Sequence, residues 1–236
     1  MSQKTRRDYR DAANRRLPGV TTILGNLSKP ELFGWYAKTA AEAAADAVMR
    51  GLPVTEAVTV GAAAPNARRD AAADAGTLAH NFVEAHFADE PVLADLSDET
   101  QAKAHGAYRR IVDHLEKTGC RVLRSECVLV DTVAGYGGTI DLVVERDGWR
   151  FIVDIKTGKR AYNDVIAQLG AYRTLWLHHW PDQPIAGGFV IHAPLDGDVV
   201  EIPITNDQLD IGAGIFGACL VIHKARPSMR LEASNG

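Results

Sequence analysis

The sequence predicts an α/β protein in which helices flank a mixed β-sheet and the N-terminal half is mostly helical. Three observations lead to this fold class. The first half is rich in alanine, which favours helices. The second half alternates short β-branched segments with longer helical ones, in the order ββ, α, ββ, α. No linker or internal repeat separates the two halves, so a single domain over residues 1–236 is predicted.

Changes in composition divide this predicted domain into four segments. They are a polar arm (1–17), a mostly helical part (18–118), an α/β core (119–225) and a tail (226–236).

Three helices are predicted in the helical part. The first is alanine-rich and ends at Gly51, and the second covers 68–87, with Gly76 as a point of interruption. The third spans Glu99–Lys117 and is followed by Gly119 as a C-terminal stop. Residues 51–66 are predicted to form a long loop because they contain three residues that weaken helices, namely Pro53, Gly61 and Pro65.

The predicted core begins with a strand over 121–131 and a pair of strands within 139–155. A helix follows over 163–179, with Asn163 as its N-terminal cap, and it stops before Pro181. Two short strands and a last helix complete the order, over residues 188–193, 199–204 and 206–225.

Composition and charge exclude several classes of protein. The net charge of −4 and the pI near 6.1 differ from the basic footprint of most nucleic-acid-binding domains, although clustered carboxylates that bind cations account for such a balance. The sequence contains no run of about 18 apolar residues, so no membrane span is predicted. The residues on either side of Lys159 do not complete the pattern of a phosphate-binding loop, so no nucleotide is expected to bind. Three scattered cysteines indicate a reducing compartment and cannot form a four-cysteine cluster site, and they are Cys120, Cys127 and Cys219.

Residues 139–156 have the pattern of a β-hairpin. Asp147-Gly148 is a favoured two-residue turn of type I′. Counting outward from this turn places Asp141 directly opposite Asp154. One face of the hairpin is then entirely apolar and is predicted to be core, and it consists of Ile140, Leu142, Val144, Phe151, Val153 and Ile155.

The opposite face of the hairpin carries Asp141, Asp154 and Lys156. Like charges that face each other destabilise a sheet, so something must offset the two aspartates, and a divalent cation held between them would do so. Carboxylate oxygens suit Mg²⁺ or Mn²⁺, and a lysine beside the ion can orient or deprotonate a water molecule. The alternative is a solvent-facing strand pair with ordinary polar residues, and the hairpin alone leaves both interpretations open.

Four short motifs resemble the PD-(D/E)xK nuclease superfamily, and most of all its RecB-type and lambda-exonuclease-like members. They are Gly76-Thr-Leu-Ala-His80, Gly138-Thr-Ile-Asp141, Asp154-Ile-Lys156 and Gln168-x-x-x-Tyr172, in the family's order. The resemblance implies a restriction-endonuclease-like mixed sheet flanked by helices. It also implies hydrolysis of DNA phosphodiesters with one or two Mg²⁺ or Mn²⁺ ions. The four cysteines of the iron–sulfur relatives are missing, so no iron–sulfur cluster is expected.

The resemblance also assigns roles to individual residues. It implies that Lys156 is the catalytic lysine, with Asp141 and Asp154 beside it. It implies four metal ligands, namely His80, Asp141, Asp154 and the backbone carbonyl of Ile155. Gln168 and Tyr172, one helical turn apart, would support the lysine or the DNA.

Further candidate residues have two interpretations each. Glu84 shares a helical face with His80, and either reaches the metal through water or pairs with a base. Glu126 is either an additional carboxylate or a solvated strand residue. Lys159 and Arg160 follow the catalytic strand and are expected to contact phosphates, although most basic clusters are solvated surface. The glycines before Asp141 either leave room for a phosphate or form a turn, and they are Gly135, Gly137 and Gly138.

The hairpin residues and the resemblance together predict a metal-dependent DNA nuclease, and the resemblance implies that it is an exonuclease of phage or bacterial recombination and repair. DNA ends are the expected substrate, a separate annealing protein or helicase the expected partner, and the cytoplasm of a bacterium or of a phage-infected host the expected location. A homo-oligomer is compatible with the lambda-type resemblance. The alternatives are a structure-specific or nicking endonuclease, a DNA-binding recombination accessory that does not cut, and an interaction protein that uses the helical half.

Overall fold

The structure, a computed structural model, describes residues 8–229. The first part of the predicted arm and the end of the predicted tail therefore lie outside the described residues. The helices are α1 (Val20–Leu24), α2 (Pro30–Met49), α3 (Val54–Phe87), α4 (Glu99–Lys117), α5 (Asp164–His179) and α6 (Asn206–Ala225), and a short 3₁₀ turn covers Arg226–Met229. The strands are β1 (Tyr9–Arg10), β2 (Arg16–Leu17), β3 (Arg121–Asp131), β4 (Tyr136–Arg146), β5 (Trp149–Lys156), β6 (Gly187–His192) and β7 (Val200–Ile204).

A five-stranded mixed sheet forms the centre of the fold, with the strand order β3-β4-β5-β6-β7. Neighbouring strands are antiparallel except β5 and β6, which are parallel and are connected through α5. A parallel pair needs such a long crossover, whereas β4 and β5 need only a tight turn. The predicted α/β class with a mixed sheet and a helical N-terminal half is confirmed.

Each face of this sheet is covered by its own set of helices. Leu142, Val153 and Ile155 face α3 and α4, where they join one apolar cluster. Val143 and Ile152 point to the opposite side and join a second cluster with α1, α5 and α6. Both faces of the sheet are therefore buried. The hairpin face that carries Asp141, Asp154 and Lys156 is buried or half-buried, with apolar residues among these charged side chains.

The predicted loop over 51–66 is wrong, because this stretch belongs to the continuous helix α3. Gly61 lies so close to α2 that a Cβ atom there would be 2.7 Å from the carbonyl oxygen of Ala40 and 2.9 Å from Cβ of Ala44. Pro65 is buried inside the same helix, where it removes a backbone hydrogen bond. Close packing of small residues between α2 and α3 stabilises a helix that local propensity alone disfavours.

Helix boundaries agree with the sequence where a cap is encoded locally. Asp98 caps the N-terminus of α4, and its side chain accepts a hydrogen bond from the Gln101 amide. Gly119 lies just after the C-terminal end of α4, with φ +67°. Asn163 occupies the predicted N-cap position of α5, but the expected side-chain cap is missing. Its φ of −62° and ψ of −17° are helical, and its side chain makes no capping bond within the described chain.

The described part of the predicted polar arm is a small β-hairpin made of β1 and β2. It packs on β4, since the Tyr9 hydroxyl lies 2.9 Å from the Thr139 hydroxyl. None of the helices within residues 8–229 combines the length and the apolar character that a membrane crossing requires.

Candidate metal centre and active site

A cleft of about 830 Å³ opens beside the C-terminal end of β5. It is lined by the strands β3, β4 and β5, by the helices α1, α3 and α5, and by the N-terminal hairpin. Its acidic and basic lining residues are Arg16, His80, Glu126, Asp141, Asp154 and Lys156. The four predicted motifs therefore contribute to one cleft.

The β4–β5 hairpin has the predicted turn and the predicted register as far as Leu142 and Val153. Asp147 and Gly148 have φ values of 52° and 78°, as a type I′ turn requires, and the ladder extends from this turn to Leu142 and Val153. The expected direct opposition of Asp141 and Asp154 does not continue that ladder. Oδ2 of Asp141 accepts a hydrogen bond of 2.8 Å from the Ile155 amide, so a carboxylate occupies the position of a backbone carbonyl.

Three side chains from separate elements converge on one point of the cleft. Nδ1 of His80 lies 3.7 Å from Oε1 of Glu126 and 3.7 Å from Oδ1 of Asp141. One ligand atom of each residue lies within 4.8 Å of the other two, which is a spacing that one metal ion can bridge. Nε2 of His80 lies 3.1 Å from the Ile155 carbonyl, so a proton on Nε2 leaves Nδ1 facing the carboxylates.

Glu126 is the residue that sequence reasoning undervalued. Its φ of 47° is in the left-handed region, which non-glycine residues in a strand rarely adopt. Its neighbours Ser125 and Cys127 still pair with β4, so the unusual backbone is local. Strained backbone of this kind often occurs at functional sites, and here the carboxylate belongs to the same cluster as His80. The sequence carries no signal of this conformation.

Asp154 and Lys156 form the second half of the site, together with helix α5. The Lys156 ammonium donates to Oδ1 of Asp154 at 2.9 Å and to Oε1 of Gln168 at 3.3 Å. The Gln168 amide donates to Oδ1 of Asp154 at 2.8 Å and to the Tyr172 hydroxyl at 3.1 Å. The lysine and the aspartate are therefore held by the Gln-x-x-x-Tyr motif.

The electrostatics of the cleft are dominated by its carboxylates. Burial opposes the charged form of His80, but Asp141 and Glu126 outweigh this and raise the pKa of His80. Burial raises the pKa of Asp141 to about 6, and the charges of Asp154 and Glu126 add to this effect. Burial also disfavours charge on Lys156, yet Asp154 and Asp141 raise its pKa, so Lys156 is an ammonium at neutral pH.

One oxygen atom indicates that these residues fit a cation. Oδ2 of Asp154 is buried and lies 2.7 Å from the Lys156 nitrogen, but no donor among the described residues gives it a directional hydrogen bond. A buried acceptor in this situation costs free energy unless a further partner approaches it. Three carboxylates and one imidazole are a donor set that suits a hard divalent cation.

Two of the glycines before Asp141 make room for protein side chains and not for a phosphate. A Cβ atom on Gly138 would lie 2.8 Å from the ring of Tyr172, and one on Gly137 would lie 2.5 Å from the ring of Tyr9. Gly135, with φ +74°, forms the turn before β4. Gly76 lies within the continuous helix α3 and does not interrupt it. Its missing side chain leaves space for the Thr157 hydroxyl.

The structure does not bring every candidate residue into the cleft. Within residues 8–229, the cleft lining lacks three candidates, namely Glu84, Lys159 and Arg160. Lys159 and Arg160 are exposed in the segment between β5 and α5. The cleft contains Tyr9 and Arg16 instead, both from the segment that the sequence indicated only as a polar arm.

Replacing Asp141 with asparagine is expected to reduce the pH dependence of stability in the presence of EDTA. The pKa of Asp141 is about 6 in the folded chain against an ordinary value of 3.8, so the folded state binds the proton more tightly. The stability that this tighter proton binding gives is complete at a pH below 3.8 and disappears as the pH rises through about 6. At about pH 7.5, the free energy of unfolding of the variant should therefore exceed that of the wild type by up to about 3 kcal/mol.

Urea denaturation at about pH 4 and pH 7.5 measures this difference. An Asp141→Asn variant that is less stable than the wild type at the higher pH would contradict the raised pKa.

Comparisons with known proteins place the chain in a family. A search of curated proteins finds no match. Among solved structures, a crystal structure of a protein from Eubacterium rectale named "Putative exonuclease" aligns with a TM-score of 0.47 and 13% identity, over 67% of this chain and 69% of that chain. The model of the PD-(D/E)XK nuclease superfamily matches residues 49–209, which is more than half of the 236 residues and includes both halves of the site. The chain belongs to the PD-(D/E)XK nuclease superfamily.

Proposed function

We propose that this chain is a Mg²⁺- or Mn²⁺-dependent deoxyribonuclease that digests DNA from its ends. The family implies a nucleic-acid substrate. The observation that carries the proposal is the convergence of His80, Glu126 and Asp141 on one point, beside a lysine held by Asp154. The preference for ends is supported by the resemblance of the motifs to RecB-type and lambda-exonuclease-like nucleases. Recombination or repair in a bacterium or its phage is the setting that this resemblance implies.

The cation would be held by His80, Glu126, Asp141 and Asp154. A divalent ion bound there supplies Lewis acidity toward the phosphate and a lower pKa for water at neutral pH. The Lys156 ammonium is positioned to offset the negative charge that develops on the scissile phosphate. Lys156 acts in this proposal as a cation beside the phosphate, and its hydrogen bonds to Asp154 and Gln168 hold the ammonium in place.

Gln168 and Tyr172 act as positioning residues in this proposal. Gln168 contacts both Lys156 and Asp154, so it limits the rotamers of the two charged side chains. Tyr172 accepts a hydrogen bond from Gln168, and its buried ring packs against Gly138. This arrangement preorganises the lysine before substrate arrives, which lowers the cost of ordering it in the transition state.

Adding Mg²⁺ or Mn²⁺ at neutral pH is expected to raise the melting temperature by roughly 5–10 °C. An ion at about 100 times its dissociation constant stabilises a folded protein by about 2.7 kcal/mol, and a chain of this size gains roughly 2–4 °C for each kcal/mol. The physical reason is that the ion offsets the repulsion among Glu126, Asp141 and Asp154.

Two variants test this metal effect by thermal denaturation with and without EDTA. Glu126→Gln should abolish most of the stabilisation, because it removes one carboxylate of the cluster. Glu84→Gln is the matched control on α3, one helical turn after His80 and outside the cleft lining. Equal stabilisation of both variants would show that the ion binds elsewhere.

Cleavage of end-labelled linear DNA and of covalently closed circular DNA tests the function, in Mg²⁺, Mn²⁺ or EDTA. The expected result is metal-dependent loss of the linear substrate with the circle intact. Cutting of the circle would identify a structure-specific or nicking endonuclease. DNA binding without cleavage of either substrate would favour the non-cleaving accessory.

A further inference from the structure

The N-terminal hairpin of β1 and β2 contributes directly to the cleft. Tyr9, Arg16 and Leu17 line it together with the catalytic strands. The same segment continues through Pro18 and Gly19 into α1, so the lining includes Tyr9 and every residue from Arg16 to Gly19.

This hairpin is attached to the strand that carries Asp141. The Gly137 amide donates to the Pro18 carbonyl at 3.0 Å, and Gly19 forms a parallel bridge with Gly137. The Tyr9 ring lies flush against Gly137, and its hydroxyl lies 2.9 Å from the Thr139 hydroxyl. Three kinds of contact therefore position the hairpin two to four residues before Asp141 in β4.

The charges lining the cleft suggest what the hairpin does there. Three carboxylates line it, and the described residues that line it include one lysine and one arginine, Lys156 and Arg16. Lys156 is engaged with Asp154 and Gln168. Arg16 instead pairs at 3.2 Å with Asp8, at a site where both side chains are well exposed, so this pairing contributes little and is easily exchanged.

We propose that Arg16 is a phosphate-binding residue that holds the nucleic-acid backbone in the cleft, and that Tyr9 positions it. This inference rests on the proposed function. An arginine binds phosphate through two parallel hydrogen bonds, and it would exchange the exposed carboxylate of Asp8 for the phosphate. The hairpin thereby becomes a clamp that is built from the start of the chain and faces the catalytic residues.

The neighbouring Arg15 provides a matched control. Its guanidinium pairs with Asp11 at 2.7 Å inside the hairpin turn, and its side chain is 80% exposed. Arg15 does not belong to the described residues that line the cleft. The two arginines have the same charge and adjacent positions, and each pairs with one aspartate, but Arg16 alone of the two lines the cleft.

The test is fluorescence anisotropy with a short fluorescein-labelled DNA, single-stranded and duplex, titrated with Mg²⁺-loaded protein. A Lys156→Met background limits cleavage during the measurement. Arg16→Ala should weaken binding roughly tenfold, and it should lower the slope of log K against log salt by about one. Arg15→Ala should bind within about twofold of the parent. Arg16→Lys should keep the salt slope but recover only part of the affinity, because lysine cannot form both parallel hydrogen bonds.

A thermodynamic cycle tests the role of Tyr9. Tyr9→Ala should weaken binding, and Arg16→Ala in that background should add little, because the arginine has already lost its position. Melting temperatures of all variants establish that they are folded.

The outcomes separate this inference from the proposed function. If Arg16→Ala has no effect, or if Arg15→Ala weakens binding equally, the clamp is wrong while the nuclease proposal stands. If the parent protein does not bind the DNA at all, both proposals fail.

Discussion

Replacing Lys156 with methionine is expected to reduce the rate of DNA cleavage by about 10²–10³-fold while the chain remains folded. Methionine has a similar length but no charge, so the phosphate loses its nearest protein cation. The side chain of Lys156 is about one-third exposed, which limits the cost to stability. The remaining partner, Gln168, still donates to Asp154 at 2.8 Å and prevents complete loss of hydrogen bonding there.

Single-turnover cleavage of end-labelled linear DNA in Mg²⁺ measures this loss. Lys159→Met is the matched control, because Lys159 is exposed and lies outside the cleft lining although it is only three residues away. It should retain a rate within a few-fold of the wild type. Equal losses in both variants would mean that cleavage depends on general basic charge near β5, and retained cleavage in Lys156→Met would remove Lys156 from the catalytic residues.

Replacing Gly212 with alanine is expected to destabilise the protein by about 3 kcal/mol. Gly212 lies in α6 at its contact with α5, where a Cβ atom would be 2.1 Å from the carbonyl oxygen of Ile166 and 3.2 Å from Cα of Ala167. These atoms belong to the backbone and cannot rotate away, so the two helices must separate. Gly170 faces the same contact from α5, with a Cβ position 2.3 Å from the Ala213 amide nitrogen.

Gly214→Ala is the control for this contact, since it is two residues further along the same helix and a Cβ atom there meets nothing within 4 Å. It should increase stability by roughly 0.5–1 kcal/mol, because alanine favours helix over glycine. Urea denaturation measures both changes. Similar stabilities of the two variants would show that α5 and α6 are not packed this closely.

The contact between α5 and α6 also links stability to the site. Helix α5 carries Gln168 and Tyr172, which hold Lys156 and Asp154. A shift of α5 away from α6 would therefore move the support of Lys156. Activity of Gly212→Ala is expected to fall more steeply than its folded fraction does.

Local patterns in the sequence predicted most of the secondary structure and one half of the site. The Asp147-Gly148 turn and the alternation around it predicted the β4–β5 register, because a slip of one residue would move the apolar set to the wrong face. Helix α4 and helix α6 were also predicted with their observed bounds, because caps and stops at their ends are encoded within a few residues. Asp154 and Lys156 share a strand face for the same local reason.

Contacts between distant segments decided the other half of the site. The sequence by itself determined the fold class, the register of the β4–β5 hairpin and the motifs that carry the family. Only the tertiary structure decided that Glu126 joins His80 and Asp141, that Pro65 lies inside a helix, and that a hairpin from the start of the chain lines the cleft. The physical reason is range. Strand and helix periodicities arise from neighbouring residues, whereas the contact of Tyr9 with Thr139 spans 130 residues and depends on how whole elements pack.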